Sequence, residues 1–258
     1  MDQNLIYQLD TIVVAPDGRR KPGEAEAASE HVLDVLVNER PAYRMACTKT
    51  FLKELVAGRL KTDGLIRDSS DIYQIILCRQ EREASVFLNH EVSWEDAPAM
   101  EPSCCTGNRT YGRAGGEGWR KLPHAVYQPD WIFGLAEEFR KGTELHDRTG
   151  GVHLCMLARE GRVVFKAEDI GRHNALDKAV GHALLNGIPL GECMLFTSGR
   201  VPEDMVEKVI AAGVPVLVSK SVPTKESVEL AGEYGLELIC RAWPDRFEIF
   251  NGAGDGMR

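Results

Sequence analysis

The sequence lacks an apolar run long enough to cross a bilayer, and it lacks the basic excess typical of proteins that bind nucleic acid or anionic membranes. Its 258 residues include 31 Lys and Arg against 39 Asp and Glu, a formal net charge of −8. The first twenty residues show no basic region followed by a sustained apolar segment, the pattern of a secretory signal. We therefore expect a cytoplasmic protein that binds neither nucleic acid nor membrane, although a local basic site for an anionic ligand is compatible with this charge.

The sequence also lacks the motifs of several enzyme classes. It has no Cys-x-x-Cys, so the zinc-deaminase pattern of His-x-Glu with Pro-Cys-x-x-Cys is missing and we expect no metal site. It has no Gly-x-Ser-x-Gly elbow of a serine hydrolase, and its "TSGR" turn is not followed by the Gly-Lys-Ser/Thr of a P-loop. A zinc-dependent deaminase is therefore only a weak third hypothesis, which metal analysis would test.

Cysteine spacing is irregular, which argues against a disulfide framework. The seven cysteines are Cys47, Cys78, Cys104, Cys105, Cys155, Cys193 and Cys240. An odd number of cysteines in a chain without a secretion signal indicates free thiols. Five of them lie in or beside apolar segments and are predicted to be structural, whereas Cys104 and Cys105 have only small, polar or charged neighbours.

Cys104 and Cys105 open the segment "CCTGNRTYGRAGGEG", in which five glycines lie within sixteen residues of Cys104. Adjacent Cα atoms are about 3.8 Å apart, below the roughly 4.4 Å minimum that is usual across a disulfide, so a bridge between these two cysteines would be strained. Arg109 and Arg113 favour the reactive thiolate. The structural alternative is an accidental pair of exposed thiols in an irregular loop.

The hydrophobic pattern predicts a mixed α/β fold with two domains. Residues 1–127 form a smaller α+β domain with a flexible cysteine-bearing loop over about 98–125, and residues 128–258 form an α/β domain that binds the cofactor. In the first domain, "HVLDVLV" and "AYRMA" form a hairpin with Pro41 setting the turn, and Thr48 or Thr50 caps the next helix. In the second, Asp130 caps a helix, and a later helix begins near Pro202 and ends at Gly213.

Two segments of the second half carry candidate binding residues. The turn "FTSGRVPED" joins a buried strand to a helix, and Thr197, Ser198, Gly199 and Arg200 there suit an anion site. An ordinary capped turn explains this segment equally well.

The second segment is "AEDIGRHNALDKAVG", where polar residues crowd the start of a helix. Its polar side chains are Asp169, Arg172, His173, Asn174, Asp177 and Lys178. Such a variety of donors and acceptors suits a polar ligand. A solvated helix face with i,i+4 pairs is the alternative, and it gives Asp169 and His173 no particular role.

In order along the chain, these motifs resemble the FdhD family of formate dehydrogenase accessory sulfurtransferases. The similar stretches are "NERPAYRMACT", "ELVAGRLKTDGLI", "TGGVH", "EDIGRHNALDKAVG", "SGR", "EKVIAAGVPVLVS" and "SVELAGEYGLELI". The resemblance covers about residues 30–250. It implies a cytoplasmic homodimer whose C-terminal domain resembles the cytidine deaminase fold.

The resemblance also implies a function. Such proteins accept sulfur from a cysteine desulfurase as a cysteine persulfide. They pass it to the molybdenum cofactor, a bis(molybdopterin guanine dinucleotide), before the cofactor enters formate dehydrogenase. The cofactor would be a bound substrate, and its binding residues would be Phe196, Thr197, Ser198, Gly199, Arg200 and Val201, with Asp169, His173 and Asn174 as a weaker set.

The cysteine motif departs from the family pattern of Ser-Cys-Gly-x-Cys-Gly. Ser103 and Cys104 match its start, but Cys105 stands where the first glycine is expected and Gly107 where the second cysteine is expected. With the gap placed differently, Cys105 stands for the second cysteine. We therefore predict a sulfurtransferase with Cys104 as the first choice for the persulfide and Cys105 as the second. The alternative is a chaperone that binds the molybdenum cofactor without moving sulfur.

Overall fold

A computed structural model describes residues 5–92, 94–95, 109–110, 113–114 and 119–251, and for 94–95, 109–110 and 113–114 it describes the backbone only. The chain forms a mixed α/β structure with two large sheets. Among the described residues, no helix is both long enough and apolar enough to span a bilayer.

The chain begins with a two-stranded ribbon that the sequence analysis did not predict. Strands β1 (Ile6–Val14) and β2 (Arg20–Ala28) pair in antiparallel fashion along their whole length. The sequence of β2, "RKPGEAEAA", contains Pro, Gly, Glu, Lys and Ala, which are all uncommon in strands. The composition of β2 therefore gives no strand signal, whereas β1, "IYQLDTIVV", is rich in β-branched residues.

The first large sheet has the order β5-β6-β3-β4-β8. Its strands are β3 (His31–Val37), β4 (Arg40–Cys47), β5 (Ile72–Cys78), β6 (Glu83–Leu88) and β8 (Arg109–Thr110). The β3–β4 hairpin confirms the predicted one, but its turn is made by Asn38 and Glu39, which both have positive φ, and Pro41 pairs with Leu36 inside the hairpin. The prediction that Pro41 sets this turn is therefore wrong.

Helix α1 (Leu52–Thr62) packs on this sheet and buries Leu55, Val56 and Leu60, as its periodicity predicted. Neither predicted threonine caps it, because the residue before the helix is Phe51 and no side chain bonds to the helix start. The Thr48 hydroxyl accepts from Ile170 N, and the Thr50 hydroxyl accepts from Lys178 Nζ. Both hydroxyls are thus engaged with the second half of the chain.

The second large sheet has the order β11-β10-β12-β13-β14-β15. Its strands are β10 (His153–Arg159), β11 (Arg162–Asp169), β12 (Cys193–Thr197), β13 (Val216–Ser219), β14 (Glu237–Trp243) and β15 (Arg246–Ile249). Strands β12, β13 and β14 are parallel to one another, and the remaining pairs are antiparallel. A further short pair is formed by β7 (Trp94–Glu95) and β9 (Arg113–Ala114).

Helices cover both faces of this second sheet. They are α2 (Pro129–Arg140), α3 (Glu144–Thr149), α4 (Arg172–Leu185), α5 (Glu203–Ala212) and α6 (Lys225–Tyr234). Helices α4, α5 and α6 share one core with the sheet, and α2 shares the core on the opposite face. Gly213 ends α5 as predicted, whereas Asp130 lies in the first turn of α2 behind Pro129 and does not cap it. The likeness of this half to the cytidine deaminase fold stays a prediction.

The two halves meet at a backbone-to-backbone contact between α1 and α4. A Cβ atom on Gly58 would lie 1.7 Å from the carbonyl oxygen of Asp177, and one on Gly181 would lie 1.8 Å from that of Glu54. Only glycine allows two helices to approach this closely. The helices therefore cross with their main chains in contact.

Buried charges surround this crossing. Lys208 Nζ lies 3.0 Å from Asp177 Oδ2 and donates to the Thr62 hydroxyl at 2.8 Å, which links α5, α4 and α1. Arg59 and Asp63 form a further pair at 2.8 Å at the end of α1. Burial acts to raise the pKa of Asp63, but Arg59 and Lys208 outweigh it and hold that pKa below its usual value.

The segment just before α2 packs with the second half. Trp119 lies edge-on to Tyr234 with ring centroids 5.5 Å apart, and Leu122 N donates to Tyr234 O. Tyr127 is fully buried and donates to Glu237 Oε1 at 2.8 Å. The division into domains 1–127 and 128–258 stays a prediction, and residues 119–127 contribute to the second core.

Candidate functional site

The candidate site lies where β12 and β13 end and β10 begins. Strand β12 is followed by Ser198, whose hydroxyl accepts from Leu154 N at 3.1 Å and lies 3.0 Å from His153 Nδ1. The Ser219 hydroxyl at the end of β13 donates to Gly199 O at 2.7 Å. These bonds hold the turn after β12 against both neighbouring strands. In open α/β sheets, the carboxyl ends of parallel strands are the usual place for ligands.

Two adjoining cavities open at this edge of the sheet. The first has a volume of about 340 Å³ and is lined by His146, Gly150, Gly151, Val152, His153, Ser198 and Lys220. The second has a volume of about 210 Å³ and is lined by Ala136, Phe139, Arg140, Gly142, Thr143, His146, Asp147, Leu154, Ser198, Lys220, Ala242, Trp243 and Pro244. His146, Ser198 and Lys220 line both cavities, so one ligand can reach from one into the other.

The first cavity suits an anion. Among the described residues, its lining contains Lys220, two histidines and the Ser198 hydroxyl, and no carboxylate. Burial, followed by the positive charge of Arg172, lowers the pKa of His153, so its ring is neutral at pH 7 and donates one hydrogen bond. Lys220 therefore brings a positive charge to this cavity, and Ser198 and His153 add uncharged donors.

The second cavity has flat aromatic walls. Phe139 stacks on Phe196 with ring centroids 4.8 Å apart, which fixes one wall. Trp243, at the end of β14, is partly exposed at the rim. Lys220 Nζ lies 5.8 Å from the centroids of both the Phe139 and the Trp243 rings, so it stands between the two walls.

The predicted residues 196–201 fall into two groups. Ser198 lines both cavities, and Arg200 is exposed beside the turn. The side chains of Phe196, Thr197 and Val201 are fully buried in the core. A Cβ on Gly199 would lie 2.9 Å from Arg172 Cδ, so glycine is needed there for close packing. Cofactor binding by these residues stays a prediction, and Ser198 is the member that the structure brings to the cavities.

The weaker set, Asp169, His173 and Asn174, lies inside the molecule. Asp169 and Lys178 are both fully buried, with Asp169 Oδ2 2.6 Å from Lys178 Nζ. Asn174 Nδ2 donates to Asp169 Oδ1 and to Ala46 O. His173 Nε2 lies 3.0 Å from Asp204 Oδ2. A ligand role for these residues stays a prediction, and the observed contacts of Asp169 and Asn174 join the two halves of the chain.

Cys104 and Cys105 lie outside the described residues. Cys155, Cys193 and Cys240 are buried, as their apolar neighbours predicted, and Cys47 is buried as well. Cys78 was expected to be buried too but is only half-buried in β5. Burial raises the pKa of Cys47 to about 12, that of Cys193 to about 11 and that of Cys240 to about 12, and it also raises that of Cys155. These four thiols are therefore unreactive at neutral pH.

A labelling experiment tests this protection. In the native protein at pH 8, we expect iodoacetamide to leave Cys47, Cys155, Cys193 and Cys240 unmodified, because each is buried and protonated. In denaturant all seven cysteines should react, which is the control. Peptide mass spectrometry measures the modified fraction of each cysteine. Rapid labelling of the four buried thiols in the native protein would contradict the structure.

Sequence reasoning missed His146, Asp147, Lys220 and Trp243. The position of Lys220 could have been predicted as a ligand site, because this basic residue directly follows strand β13. Arg200, which was predicted, stands in a similar position after β12. His146 and Asp147 lie on α3, which is six residues long and has too few turns to show a periodic pattern. In the described ranges, no cluster of three or more His, Cys, Asp or Glu side chains could hold a metal ion.

Comparison with known proteins points to one family. The family model described as "FdhD/NarQ family" matches residues 28–255. The sulfur carrier protein FdhD of Halalkalibacterium halodurans is 32% identical over 96% of this chain and 89% of its own length. The protein of that name from Listeria monocytogenes is 28% identical over 89% and 90%.

A solved structure agrees with this placement. The crystal structure of a putative formate dehydrogenase accessory protein from Desulfotalea psychrophila is 26% identical, with a TM-score of 0.79 over 97% of this chain and 98% of that one. The resemblance seen in the motifs thus extends over nearly the whole fold. The chain belongs to the FdhD/NarQ family.

Proposed function

We propose that this protein is a cytoplasmic sulfur carrier that takes persulfide sulfur from a cysteine desulfurase and passes it to the molybdenum cofactor of formate dehydrogenase. The cofactor, a bis(molybdopterin guanine dinucleotide), is its bound substrate, and the working form is a homodimer with a deaminase-like second half. Membership of the FdhD/NarQ family carries this proposal, because relatives that cover nearly the whole chain are named sulfur carrier proteins.

The cavities support a phosphate-bearing substrate. Lys220, the Ser198 hydroxyl and His153 offer a positive charge and hydrogen-bond donors in the first cavity, and no carboxylate is among the described residues that line it. Phosphate oxygens accept hydrogen bonds from such groups and are attracted by the cation. The aromatic second cavity adjoins the first and adds a place for a planar ring.

The position of β8 supports delivery of sulfur near the junction of the two halves. The backbone of Arg109 pairs with Arg44, and Arg44 lies four residues before Thr48, which contacts Asp169 and Lys178. In the sequence, Cys104 precedes Arg109 by five residues.

The loading step needs one reactive thiolate. The carrier thiolate attacks the outer sulfur of the desulfurase persulfide, a new S–S bond forms, and the desulfurase thiolate leaves with the electron pair of the broken bond. The four buried cysteines are protonated and cannot perform this attack. Cys104 is our first choice for the nucleophile and Cys105 the second.

A persulfide assay tests the proposal. After incubation with a cysteine desulfurase and cysteine, intact-protein mass spectrometry should show the gain of one sulfur. Cys104→Ala should abolish this gain, and Cys105→Ala should reduce it. Cys78→Ala is the matched control, because Cys78 is half-buried in β5. Full sulfur loading of the variant that lacks both Cys104 and Cys105 would refute the assignment.

The second candidate function is a chaperone that binds the cofactor without sulfur transfer. The unusual cysteine spacing favours it, because adjacent cysteines replace the separated pair of the family pattern. Guanine nucleotide binding without any persulfide on Cys104 or Cys105 would support the chaperone over the carrier.

A further inference from the structure

We infer that the outer edge of β1 pairs with β1 of a second copy, so that two ribbons form one antiparallel sheet in the order β2-β1-β1-β2. This inference rests on the homodimer of the proposed function and names the surface that holds it. The ribbon belongs to neither large sheet. Apart from Ala28 at its end, it also precedes the residues that the family model matches.

The hydrogen-bond register shows which backbone groups of the ribbon point outwards. Ser29 N donates to Leu5 O before the ladder, and Ala15 N donates to Arg19 O after it, both at 2.9 Å. These bonds continue the register of the ribbon, which has no shift along its length. Because bonded and non-bonded rungs alternate in an antiparallel pair, the odd-numbered residues bond across the ribbon. The even-numbered residues therefore turn their N–H and C=O groups to the two outer edges.

The outer edge of β2 is protected against further pairing. Pro22 is one of its even-numbered residues, so this edge lacks an N–H donor near the middle of the strand. Lys21 adds a charge beside it. Nearer the base of the ribbon, Arg148 Nε of α3 donates to Glu26 Oε2 at 2.8 Å, so α3 flanks the strand there. Proline, lysine and a covering element are the means by which natural proteins protect sheet edges.

The outer edge of β1 carries no such protection. Its nine residues, "IYQLDTIVV", include no proline, glycine or lysine, so every outward position keeps its N–H donor. Within the described ranges, no group bonds to the outward backbone of Gln8, Asp10, Ile12 or Val14. A long strand edge with free donors and acceptors is a template for another strand.

The side chains of β1 also favour a larger sheet. Tyr7, Leu9, Thr11 and Val13 share one face of the ribbon, because alternate residues of a strand point to the same side. Tyr7 is 55% exposed, Leu9 50% and Val13 46%. A two-stranded ribbon is only marginally stable in water, whereas additional strands with a continuous apolar face stabilise a sheet.

A second copy is the occupant that fits this edge. Under two-fold symmetry, each β1 offers the other the same donors and acceptors, so one surface serves both copies. The protected β2 edges then become the two ends of the new sheet, and pairing stops after four strands. One open and one protected edge per chain therefore give a closed dimer and not a growing fibre.

The charge of Asp10 selects the register of this pairing. A two-fold axis at Asp10 would place two carboxylates directly opposite each other, which destabilises a sheet. An axis at Thr11 would set Asp10 opposite Ile12, which offers its carboxylate no side-chain donor. An axis at Leu9 sets Gln8 of each copy opposite Asp10 of the other, so an amide can donate to each carboxylate. It also joins the two Leu9 side chains on the apolar face.

Analytical ultracentrifugation of the full-length protein tests the edge. We expect a dimer whose dissociation constant rises about 10- to 100-fold in Asp10→Pro, because two hydrogen bonds across the interface are lost, one from each copy. The N–H of Asp10 points outwards, so proline removes no bond from the β1–β2 ladder. A protein that is monomeric throughout the concentration range would overturn the inference.

Glu24→Pro is the matched control for this substitution. Glu24 pairs with Asp10 in the same rung, and its N–H also points outwards, but on the protected edge of β2. The dimer dissociation constant of Glu24→Pro should therefore equal that of the unaltered protein. Equal dissociation constants for the two proline variants would place the interface elsewhere and overturn the inference.

Disulfide cross-linking tests the two-fold register. At the axis, the Cα atoms of the two Leu9 residues would lie about 4.5 Å apart, within the usual range for a disulfide. In a chain that also carries Cys104→Ala and Cys105→Ala, mild oxidation should convert Leu9→Cys into a covalent dimer, with the linkage mapped by peptide mass spectrometry. Thr11→Cys is the control, because Thr11 would face Tyr7 of the other copy. Cross-linking through Thr11→Cys, or through neither cysteine, would overturn the pairing about Leu9.

The persulfide assay separates this inference from the proposed function. A dimer that Asp10→Pro leaves unchanged would refute the β1 interface and leave both the homodimer and the sulfur carrier standing. A dimer that Asp10→Pro weakens, in a protein that forms no persulfide on Cys104 or Cys105, would support the β1 interface and refute the sulfur carrier.

Discussion

Replacing Gly58 by alanine is expected to lower the free energy of unfolding by about 3 kcal/mol, the upper part of the usual range for overpacking a filled interior. The new methyl group would lie 1.7 Å from the carbonyl oxygen of Asp177, which belongs to the backbone of α4 and cannot rotate away. The helices must therefore separate. That movement also disturbs the buried Lys208–Asp177 pair beside the crossing.

Urea denaturation followed by circular dichroism measures this effect, and the chain provides a matched control. Gly232 lies inside α6, and no neighbouring element comes within 4 Å of the position that a methyl group would take there. Gly232→Ala should stabilise the protein by about 0.5–1 kcal/mol, because alanine loses less conformational freedom in a helix than glycine does. If Gly58→Ala stabilised the protein as Gly232→Ala is expected to do, α1 and α4 would not be in backbone contact.

Replacing Lys178 by methionine is expected to cost about 3–5 kcal/mol, because it leaves the buried carboxylate of Asp169 without its counter-charge. Lys178 Nζ lies 2.6 Å from Asp169 Oδ2, and both side chains are fully buried. It also donates to Thr48 O and Glu168 O at 3.0 and 3.1 Å, so two carbonyl groups lose a donor as well. Loss of this side chain therefore weakens the junction between β4 and the second sheet.

The control for this substitution is Lys225→Met. Lys225 forms an exposed pair with Glu229 at 3.2 Å, and surface pairs of this kind contribute little to stability. Adding Asp169→Asn to Lys178→Met should recover part of the loss, because the double variant no longer buries a charge. A double-mutant cycle of these two substitutions, measured by thermal or urea unfolding, gives the interaction free energy between Lys178 and Asp169. Equal effects of Lys178→Met and Lys225→Met would contradict the buried pair.

Much of the local structure was readable from the sequence. The β3–β4 hairpin, α1 and the alternation of strands and helices after residue 150 follow from hydrophobic periodicity, which is a property of neighbouring residues. The errors lie at turns and caps. Thr48 and Thr50 have the chemistry of helix caps, but tertiary contacts with Ile170 and Lys178 take their hydroxyls instead.

The helix segment "AEDIGRHNALDKAVG" shows why the candidate site could not be predicted fully from the sequence. Its polar residues predicted either a ligand site or a solvated face, yet Asp169, Asn174, Asp177 and Lys178 are all fully buried. Buried charges need partners, and only the Asp169–Lys178 pair lies within the segment. The other partners come from residues 46–62 and from Lys208. Nothing in the segment itself reports on partners more than a hundred residues away.

The family, the mixed α/β class, the position of the adjacent cysteine pair and the position of the turn after β12 can all be read from the sequence, because each depends on residues close together along the chain. The contact of the two halves at Gly58 and Gly181 and the lining of the two cavities depend instead on how distant segments pack in the folded protein. His146, Lys220 and Trp243 come from separate elements. They converge because parallel strands end at one edge of a sheet, and that proximity exists only after folding.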